Sequence, residues 1–185
     1  MPSPLGHVIG GVAAGWMVTG APRSRQDLAA TWRETALFGL LGALPDIDLL
    51  PGLHRGPTHS IGAVVIVAGI AALSGLRARL VLACALAYGS HILLDWLSQD
   101  GNPPIGLQAL WPFSRDYYIS QWQLFMATSR QYYRGWTFVL HNVRAIGREL
   151  AILLPALAAV VLVRRRLRSS SLGEAGSQRS SSFGP

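Results

Sequence analysis

The densest group of residues able to do chemistry lies in residues 45–60, PDIDLLPGLHRGPTHS. It contains two aspartates, two histidines and an arginine: Asp46, Asp48, His54, His59 and Arg55. The next stretch, IGAVVIVAGIAAL, carries no charge. Carboxylates and imidazoles at an apolar boundary are costly to bury unless they are paired or bind a metal ion. Taken alone, the segment would be interpreted as a polar turn with capping acids. Taken together with the residues described next, it is predicted to be part of a metal site.

Three more residues of these types lie in or beside apolar segments: His7, His91 and Asp95. His91 and Asp95 are four positions apart and share one helix face, so both can bind one cation, or Asp95 can orient the imidazole. Oxygen and nitrogen donors without cysteine suit zinc, manganese or iron, and the single cysteine, Cys84, lies in an apolar run. The seven predicted metal ligands, for one or two ions, are His7, Asp46, Asp48, His54, His59, His91 and Asp95.

Catalytic roles follow from the same group of residues. His59 or Asp48 is the predicted general base for a metal-activated water, as hydrolases of phosphoesters and esters use it. Arg55 either holds an anionic group of the substrate or neutralises the acids. His141 lies far from the group in sequence and is predicted to be an interfacial histidine, not a ligand.

Composition favours a membrane protein over a soluble helical one. Half of the residues are hydrophobic and only 14% are charged, against about 25% in soluble domains. Five apolar stretches predict an all-α, multi-pass bundle of about five helices. The predicted spans are 5–20, 29–45, 60–76, 80–97 and 148–163.

The net charge is +7, and all of the positively charged side chains counted in it are arginines. These arginines are spread along the flanks of the predicted spans. Arg77, Arg79 and the cluster at 164–168 fall on one side, which the positive-inside rule makes cytoplasmic. The N-terminus and every candidate site residue fall on the other, outer side. The arginines form no basic stripe on a reader element, so membrane lipids and a small-molecule or lipid substrate are the expected partners, and nucleic acid is not.

Two further segments complete the predicted organisation. Residues 99–140 hold ten of the sixteen aromatic residues and are predicted to lie at the membrane interface before the last helix. Residues 1–167 form the predicted membrane-embedded domain. Residues 168–185 are rich in serine and glycine and are predicted to be a disordered cytoplasmic tail.

The motifs MPSPLGH, PDIDLLPG, HRGPTHS, SHILLDWLSQDGNPPIG and LWPFS resemble a known bacterial family over residues 1–125. It is the family of inner-membrane, metal-dependent hydrolases that includes the YdjM and YbcI proteins. The resemblance implies a multi-pass inner-membrane protein and a metal-dependent hydrolase, and it carries over the seven polar positions named above. The family label includes a distant likeness to zinc-dependent phospholipase C, which speaks to the reaction class more than to the substrate.

The leading hypothesis is therefore a membrane-bound hydrolase that uses a metal-activated water on a phosphoester or lipid-type substrate. The alternative is a non-catalytic stress-response or scaffold protein in which a structural metal ties helix ends together. A transporter would place polar residues along the whole membrane depth, whereas here they gather at one end. An intramembrane metalloprotease is disfavoured because the chain has no His-Glu-x-x-His helix.

Overall fold

The structure is a computed structural model that describes residues 1–22, 24–49, 55–101, 103–129 and 131–181. Its five α-helices are α1 (Pro4–Thr19), α2 (Arg25–Ala43), α3 (Ile61–Leu73), α4 (Ala78–Trp96) and α5 (Trp136–Ser181). Short 3₁₀ helices cover Leu44–Leu49, Pro57–His59 and Tyr132–Arg134. The described ranges contain two isolated β-bridges and no β-strand. The predicted all-α bundle of about five helices is confirmed.

Helices α1 to α4 lie close to their predicted spans, but α5 differs. It begins at Trp136 and is assigned through Ser181, whereas the sequence predicts a last helix over 148–163. The charged and aromatic residues between 136 and 147 interrupt the apolar run on which that prediction depends, although they continue the same helix. The predicted tail from residue 168 onwards stays a prediction.

The outer surface of the bundle suits lipid. Ala78–Trp96 and the Trp136–Leu167 part of α5 are long and apolar enough to cross a membrane, and Ile61–Leu73 is a shorter apolar helix. Leu73 on α3 is 90% exposed and Val65 is 66% exposed, as are several of their apolar neighbours. A soluble protein rarely exposes so continuous an apolar surface, whereas a lipid bilayer solvates it. The predicted multi-pass membrane bundle is confirmed.

Helix α1 lies at the centre and packs against α2, α4 and α5. Its backbone touches that of α2 where Gly11 meets Gly42. A Cβ atom on Gly42 would lie 2.3 Å from the carbonyl oxygen of His7, and one on Gly11 would lie 2.3 Å from that of Phe38. Small residues permit such close helix crossings in membranes. The crossing brings His7 and the end of α2 to the same place.

The long connection between α4 and α5 folds back over one end of the bundle. Its carbonyl groups at Ala109 and Trp111 accept hydrogen bonds from the amides of Ile61 (2.9 Å) and Gly62 (3.1 Å). These bonds satisfy open N–H groups in the first turn of α3, whose N-cap is Ser60. The connection therefore covers the end of the bundle at which α3 begins.

Candidate metal centre

Six of the seven predicted ligands lie at this covered end. They come from α1, from the two 3₁₀ helices that flank the gap after α2, and from α4: His7, Asp46, Asp48, His59, His91 and Asp95. His54 lies outside the described residues. The side chains of His7, His59, His91 and Asp95 are completely buried, and that of Asp46 is 19% exposed. We call His7, Asp46, His59, His91 and Asp95 the donor cluster.

The imidazole of His91 has its proton fixed by the α1–α2 crossing. Its Nδ1 lies 2.7 Å from the carbonyl oxygen of Gly42. A carbonyl oxygen only accepts hydrogen bonds, so Nδ1 carries the proton and donates it. Nε2 is therefore left with an unprotonated lone pair. A histidine that ligates a metal is typically oriented in this way.

The imidazole of His59 is oriented by a carboxylate instead. Its Nδ1 lies 3.1 Å from Oδ2 of Asp48, so Nδ1 donates to that oxygen. The same Oδ2 accepts from the hydroxyl of Thr58 at 3.0 Å and from the amide of Gly56 at 3.4 Å. Thr58 thus supports Asp48, while Ser60 alone caps α3. In the tautomer that this arrangement selects, Nε2 of His59 also presents a lone pair.

These two Nε2 atoms face each other beside two carboxylates. The Nε2 atoms of His59 and His91 are 3.1 Å apart. Oδ1 of Asp46 lies 3.8 and 3.7 Å from them, and Oδ2 of Asp95 lies 3.5 and 3.8 Å from them. A tetrahedral zinc ion with bonds of about 2.0–2.1 Å places its donors about 3.3 Å apart. The five separations of 3.1–3.8 Å are near that value, but the groups of donor atoms within 4.8 Å of one another include either Asp46 or Asp95, not both.

The donor cluster lacks partners of its own. Oδ1 of Asp46, both carboxylate oxygens of Asp95 and both ring nitrogens of His7 are buried without a hydrogen bond to the described residues. A buried polar atom left in this state costs about 1–3 kcal/mol, and more when it is charged. Nε2 of His59 and Nε2 of His91 are close enough for a hydrogen bond, which requires a proton on one of them. The residues fit one or two divalent metal ions, which would bind Oδ1 of Asp46, a carboxylate oxygen of Asp95 and one ring nitrogen of His7.

The electrostatics favour positive charge at the same point. Burial lowers the pKa of His59, but the neighbouring carboxylates of Asp46 and Asp48 outweigh burial and raise that pKa to about 9. Burial raises the pKa of Asp46, but the imidazole of His59 and the other imidazoles nearby hold it below its usual value. Asp46 thus stays ionised and attracts a cation to Nε2 of His59, either a proton or a metal ion.

His7 extends the donor cluster to a second side of Asp95. Its Nε2 lies 3.4 Å from Oδ1 of Asp95, and its ring stacks on that of His91 with centroids 3.6 Å apart. Donor atoms of His7, Asp46 and His91 lie within 4.8 Å of one another, as do those of His59, His91 and Asp95. Two overlapping donor groups leave one ion or two open. Asp48 belongs to neither group.

Arg55 lies behind the donor cluster and not in open space. Its Nε is 3.4 Å from Oδ2 of Asp95, and its NH1 donates to Oδ2 of Asp100 at 2.6 Å. The side chain is completely buried. Of the two predicted roles, this geometry favours neutralising the acids. Arg55 has a φ of 53°, an uncommon conformation, and its carbonyl oxygen accepts from the amide of Gln108.

Two acidic residues that support the site were not singled out from the sequence. Asp100 pairs with Arg55, and its place at the start of Asp-Gly-Asn-Pro-Pro indicates only the end of a helix. Glu149 on α5 is 3% exposed, and both its oxygens lie 3.2 Å from the amide of Ser3. Glu149 therefore holds α5 against the N-terminus of α1, the helix that carries His7. A lone acid within the apolar half of α5 was the available signal.

His141 stands apart from the donor cluster, and its role as an interfacial histidine that binds no metal stays a prediction. It lies on α5, is exposed, and its Nε2 bonds to the carbonyl oxygen of Ala127 at 2.8 Å.

Comparison with known proteins places this arrangement in a family. No curated protein and no solved structure matches the chain. The family described as YdjM inner membrane protein matches residues 1–169. That range includes the donor cluster, the long connection and the apolar part of α5. The chain therefore belongs to the YdjM inner membrane protein family.

Proposed function

We propose that this inner membrane protein is a metal-dependent hydrolase whose centre is the donor cluster. One observation carries the proposal: two imidazole Nε2 atoms, each on a ring whose Nδ1 is hydrogen-bonded, meet at 3.1 Å beside the carboxylates of Asp46 and Asp95. A proton between the two imidazoles would leave Oδ1 of Asp46 and the carboxylate of Asp95 without a hydrogen bond to the described residues, whereas a metal ion would bind these groups as well. Its nitrogen and oxygen donors suit zinc, with manganese or iron as the next choices, and one or two ions.

The residues of the chain take distinct roles in this proposal. A bound divalent metal ion supplies Lewis acidity and a water of lowered pKa. His59, His91, Asp46 and Asp95 hold the ion. Both nitrogens of His59 are then engaged, so the role of general base goes to Asp48, whose Oδ1 has no hydrogen bond to the described residues. The partly exposed Asp46 marks a side from which water enters.

The substrate class proposed is a phosphoester or a lipid-type ester. The support is the position of the donor cluster at the bundle end that the long connection covers, because that connection and the start of α5 carry exposed aromatic residues such as Trp122 and Trp136. Aromatic side chains of this kind sit at the level of lipid headgroups. The proposed orientation places the N-terminus and the donor cluster on the outer face and the C-terminus in the cytoplasm. Membrane lipids and the substrate are the proposed partners, and nucleic acid is not among them.

A hydrolysis assay tests the proposal. The protein, purified in detergent, is assayed with bis(p-nitrophenyl) phosphate, p-nitrophenyl butyrate and a fluorogenic phospholipid. We expect turnover that a chelator abolishes and one divalent metal restores. At saturating metal, Asp48→Asn should lower kcat by at least about 100-fold, because the proton acceptor is lost. Turnover that is insensitive to both chelator and Asp48→Asn would refute the proposal.

A second candidate function is a structural metal site in a membrane scaffold. The observation that favours it is the burial of the donor cluster, in which four of the five side chains are completely enclosed. Structural metal sites are closed, whereas catalytic ones keep one position open. The two candidates separate in the same experiment. A metal bound in stoichiometric amount, raised thermal stability and no turnover on any substrate would identify the scaffold.

A further inference from the structure

A polar cavity of about 730 Å³ lies next to the donor cluster. Its walls are the start of the long connection, the end of that connection and the first turns of α5. Its polar lining includes Gln99, Asp100, Thr128, Arg134, Thr137 and His141. The volume is within the range of about 300–1,000 Å³ that small-molecule sites occupy.

The walls of this cavity are held together by hydrogen bonds. Asn142 on α5 accepts from the amide of Ser129 at 2.8 Å and donates to the carbonyl oxygen of Ser129 at 3.1 Å. His141 adds its bond to the carbonyl oxygen of Ala127. These contacts join the end of the connection to α5. The cavity is therefore built into the fold, as ligand sites usually are.

The cavity and the donor cluster share a wall. Asp100 lines the cavity, and its Oδ2 is 2.6 Å from NH1 of Arg55. Arg55 in turn reaches Asp95 at 3.4 Å. The guanidinium group of Arg55 thus lies between the carboxylate of Asp100 in the cavity wall and the carboxylate of Asp95 in the donor cluster. A ligand in the cavity lies beside the proposed centre.

The charge of the lining favours an anion. Asp100 is balanced by Arg55, which leaves two cations in the described lining: Arg134 and the terminal ammonium group of Met1, which donates to the carbonyl oxygen of Gln99. The backbone of Arg134 is fixed by bonds to the carbonyl oxygen of Gln131 (3.0 Å) and from the hydroxyl of Thr137 (2.9 Å). Hydroxyl groups of Thr128 and Thr137 lie in the same lining. Both hydroxyls donate to backbone carbonyl oxygens, those of Met1 and Arg134, so the guanidinium group of Arg134 is the donor that suits an anion such as phosphate.

We infer that this cavity binds the phosphate group of the substrate, with Arg134 as its principal cation. The inference rests on the proposed function in that it names the substrate subsite of the same centre. The exposed rings of Tyr132, Tyr133 and Trp136 flank Arg134 and place it at the level of lipid headgroups. The phosphate group belongs either to a phospholipid headgroup or to a soluble phosphoester.

Binding of inorganic phosphate to the full chain in phosphatidylcholine nanodiscs tests the inference. We expect Arg134→Gln to weaken binding by at least about tenfold, because a charge-assisted hydrogen bond is lost. Arg134→Lys should recover part of the affinity. Arg144→Gln removes the same charge from an exposed position of α5 outside the cavity lining and should change affinity less than twofold. Equal weakening by the two glutamine variants, or no phosphate binding at all, would overturn the inference.

Two further arms separate the sources of the phosphate and the two proposals. The first arm compares the affinities of dioctanoyl phosphatidate and glycerol 3-phosphate. Much tighter binding of the phosphatidate identifies a lipid as the source, and equal affinities identify a soluble ester. In both cases Arg134→Gln must weaken binding. Repeating the phosphate titration after chelation removes any contribution from a metal ion. If no metal is bound yet Arg134→Gln still weakens phosphate binding, the hydrolase proposal fails while the cavity remains an anion site.

Discussion

The two ends of the bundle differ in how the polar groups at their helix ends find hydrogen-bond partners. At the end opposite the donor cluster, Arg79 donates to the carbonyl oxygen of Val18 through Nε (3.0 Å) and NH2 (2.7 Å). Arg164 donates to the same oxygen at 2.8 Å. These bonds satisfy carbonyl groups at the C-terminus of α1, where positive charge is also favoured by the helix dipole. This end is completed by side chains of the chain itself.

The donor-cluster end is not completed in that way. Its carboxylates and imidazoles are oriented by Gly42, Asp48 and Arg55. Even so, Oδ1 of Asp46, both oxygens of Asp95 and both ring nitrogens of His7 have no hydrogen bond to the described residues. The difference shows what makes a polar helix end able to bind a ligand. The side chains are held in place by hydrogen bonds and ion pairs on one side, while the atoms on their other side have no hydrogen bond within the protein. The following variants test that contrast, from the largest expected effect to the smallest.

Replacing His91 should have the largest effect on metal binding. His91→Ala removes one donor and the hydrogen bond to Gly42, so we expect metal affinity to fall by more than about 100-fold. Metal titration followed by isothermal calorimetry measures this change. His141→Ala, which removes an imidazole outside the donor cluster, is the matched control and should retain full affinity. Equal affinity in the two variants would contradict the assignment of His91 as a ligand.

Replacing Gly42 should damage both the fold and the donor cluster. A methyl group there would overlap the backbone of α1 at His7, so Gly42→Ala should lower stability by about 3 kcal/mol and weaken metal binding. Thermal unfolding in detergent, with and without metal, measures both effects. Gly69→Ala is the control, since nothing lies within 4 Å of its Cβ position. A stable Gly42→Ala variant with unchanged affinity would show that the tight crossing does not position His91.

Replacing Asp48 should loosen the donor cluster without removing a member of it. Asp48→Asn weakens the acceptor that fixes the tautomer of His59, so metal affinity should fall by about 10- to 100-fold. The same titration measures it, and Asp116→Asn, at an exposed acid of the long connection, should have no effect. An affinity loss as complete as that of His91→Ala would instead make Asp48 a direct ligand.

Replacing Arg79 should affect only the opposite end. Arg79→Ala exposes the carbonyl groups of Val18 and Thr19, which should cost about 1–3 kcal/mol of stability and leave metal affinity unchanged. Arg77→Ala removes the same charge from the same loop, where the side chain makes no capping bond, and should cost less. Loss of metal from Arg79→Ala would show that the two ends are coupled and would break the contrast.

Much of this architecture follows from local sequence patterns. Apolar runs predict α1 to α4, and counting the spans brings His7, His91 and Asp95 to the side of Asp46 and His59. That convergence needs only the alternation of helix directions. The start of α5 could not be predicted, because charged residues at a membrane interface interrupt an apolar run without ending a helix.

The supporting contacts are beyond reach of such patterns. The carbonyl oxygen of Gly42 has no sequence signature, since every residue carries one, and its use depends on the crossing with α1. Asp100 and Glu149 act through partners far away in the chain, Arg55 and Ser3. Their roles depend on tertiary packing, which single-residue properties do not encode.

The central claim is that the donor cluster binds a divalent metal ion, and the metal content of the purified wild-type protein tests it most directly. The chain is expressed in a bacterial membrane, purified in detergent without chelator and measured by inductively coupled plasma mass spectrometry. We predict at least one zinc, manganese or iron ion per chain, and far less in His59→Ala purified in parallel. A wild-type protein with a metal content near zero that also fails to take up any of these ions on titration would contradict the account.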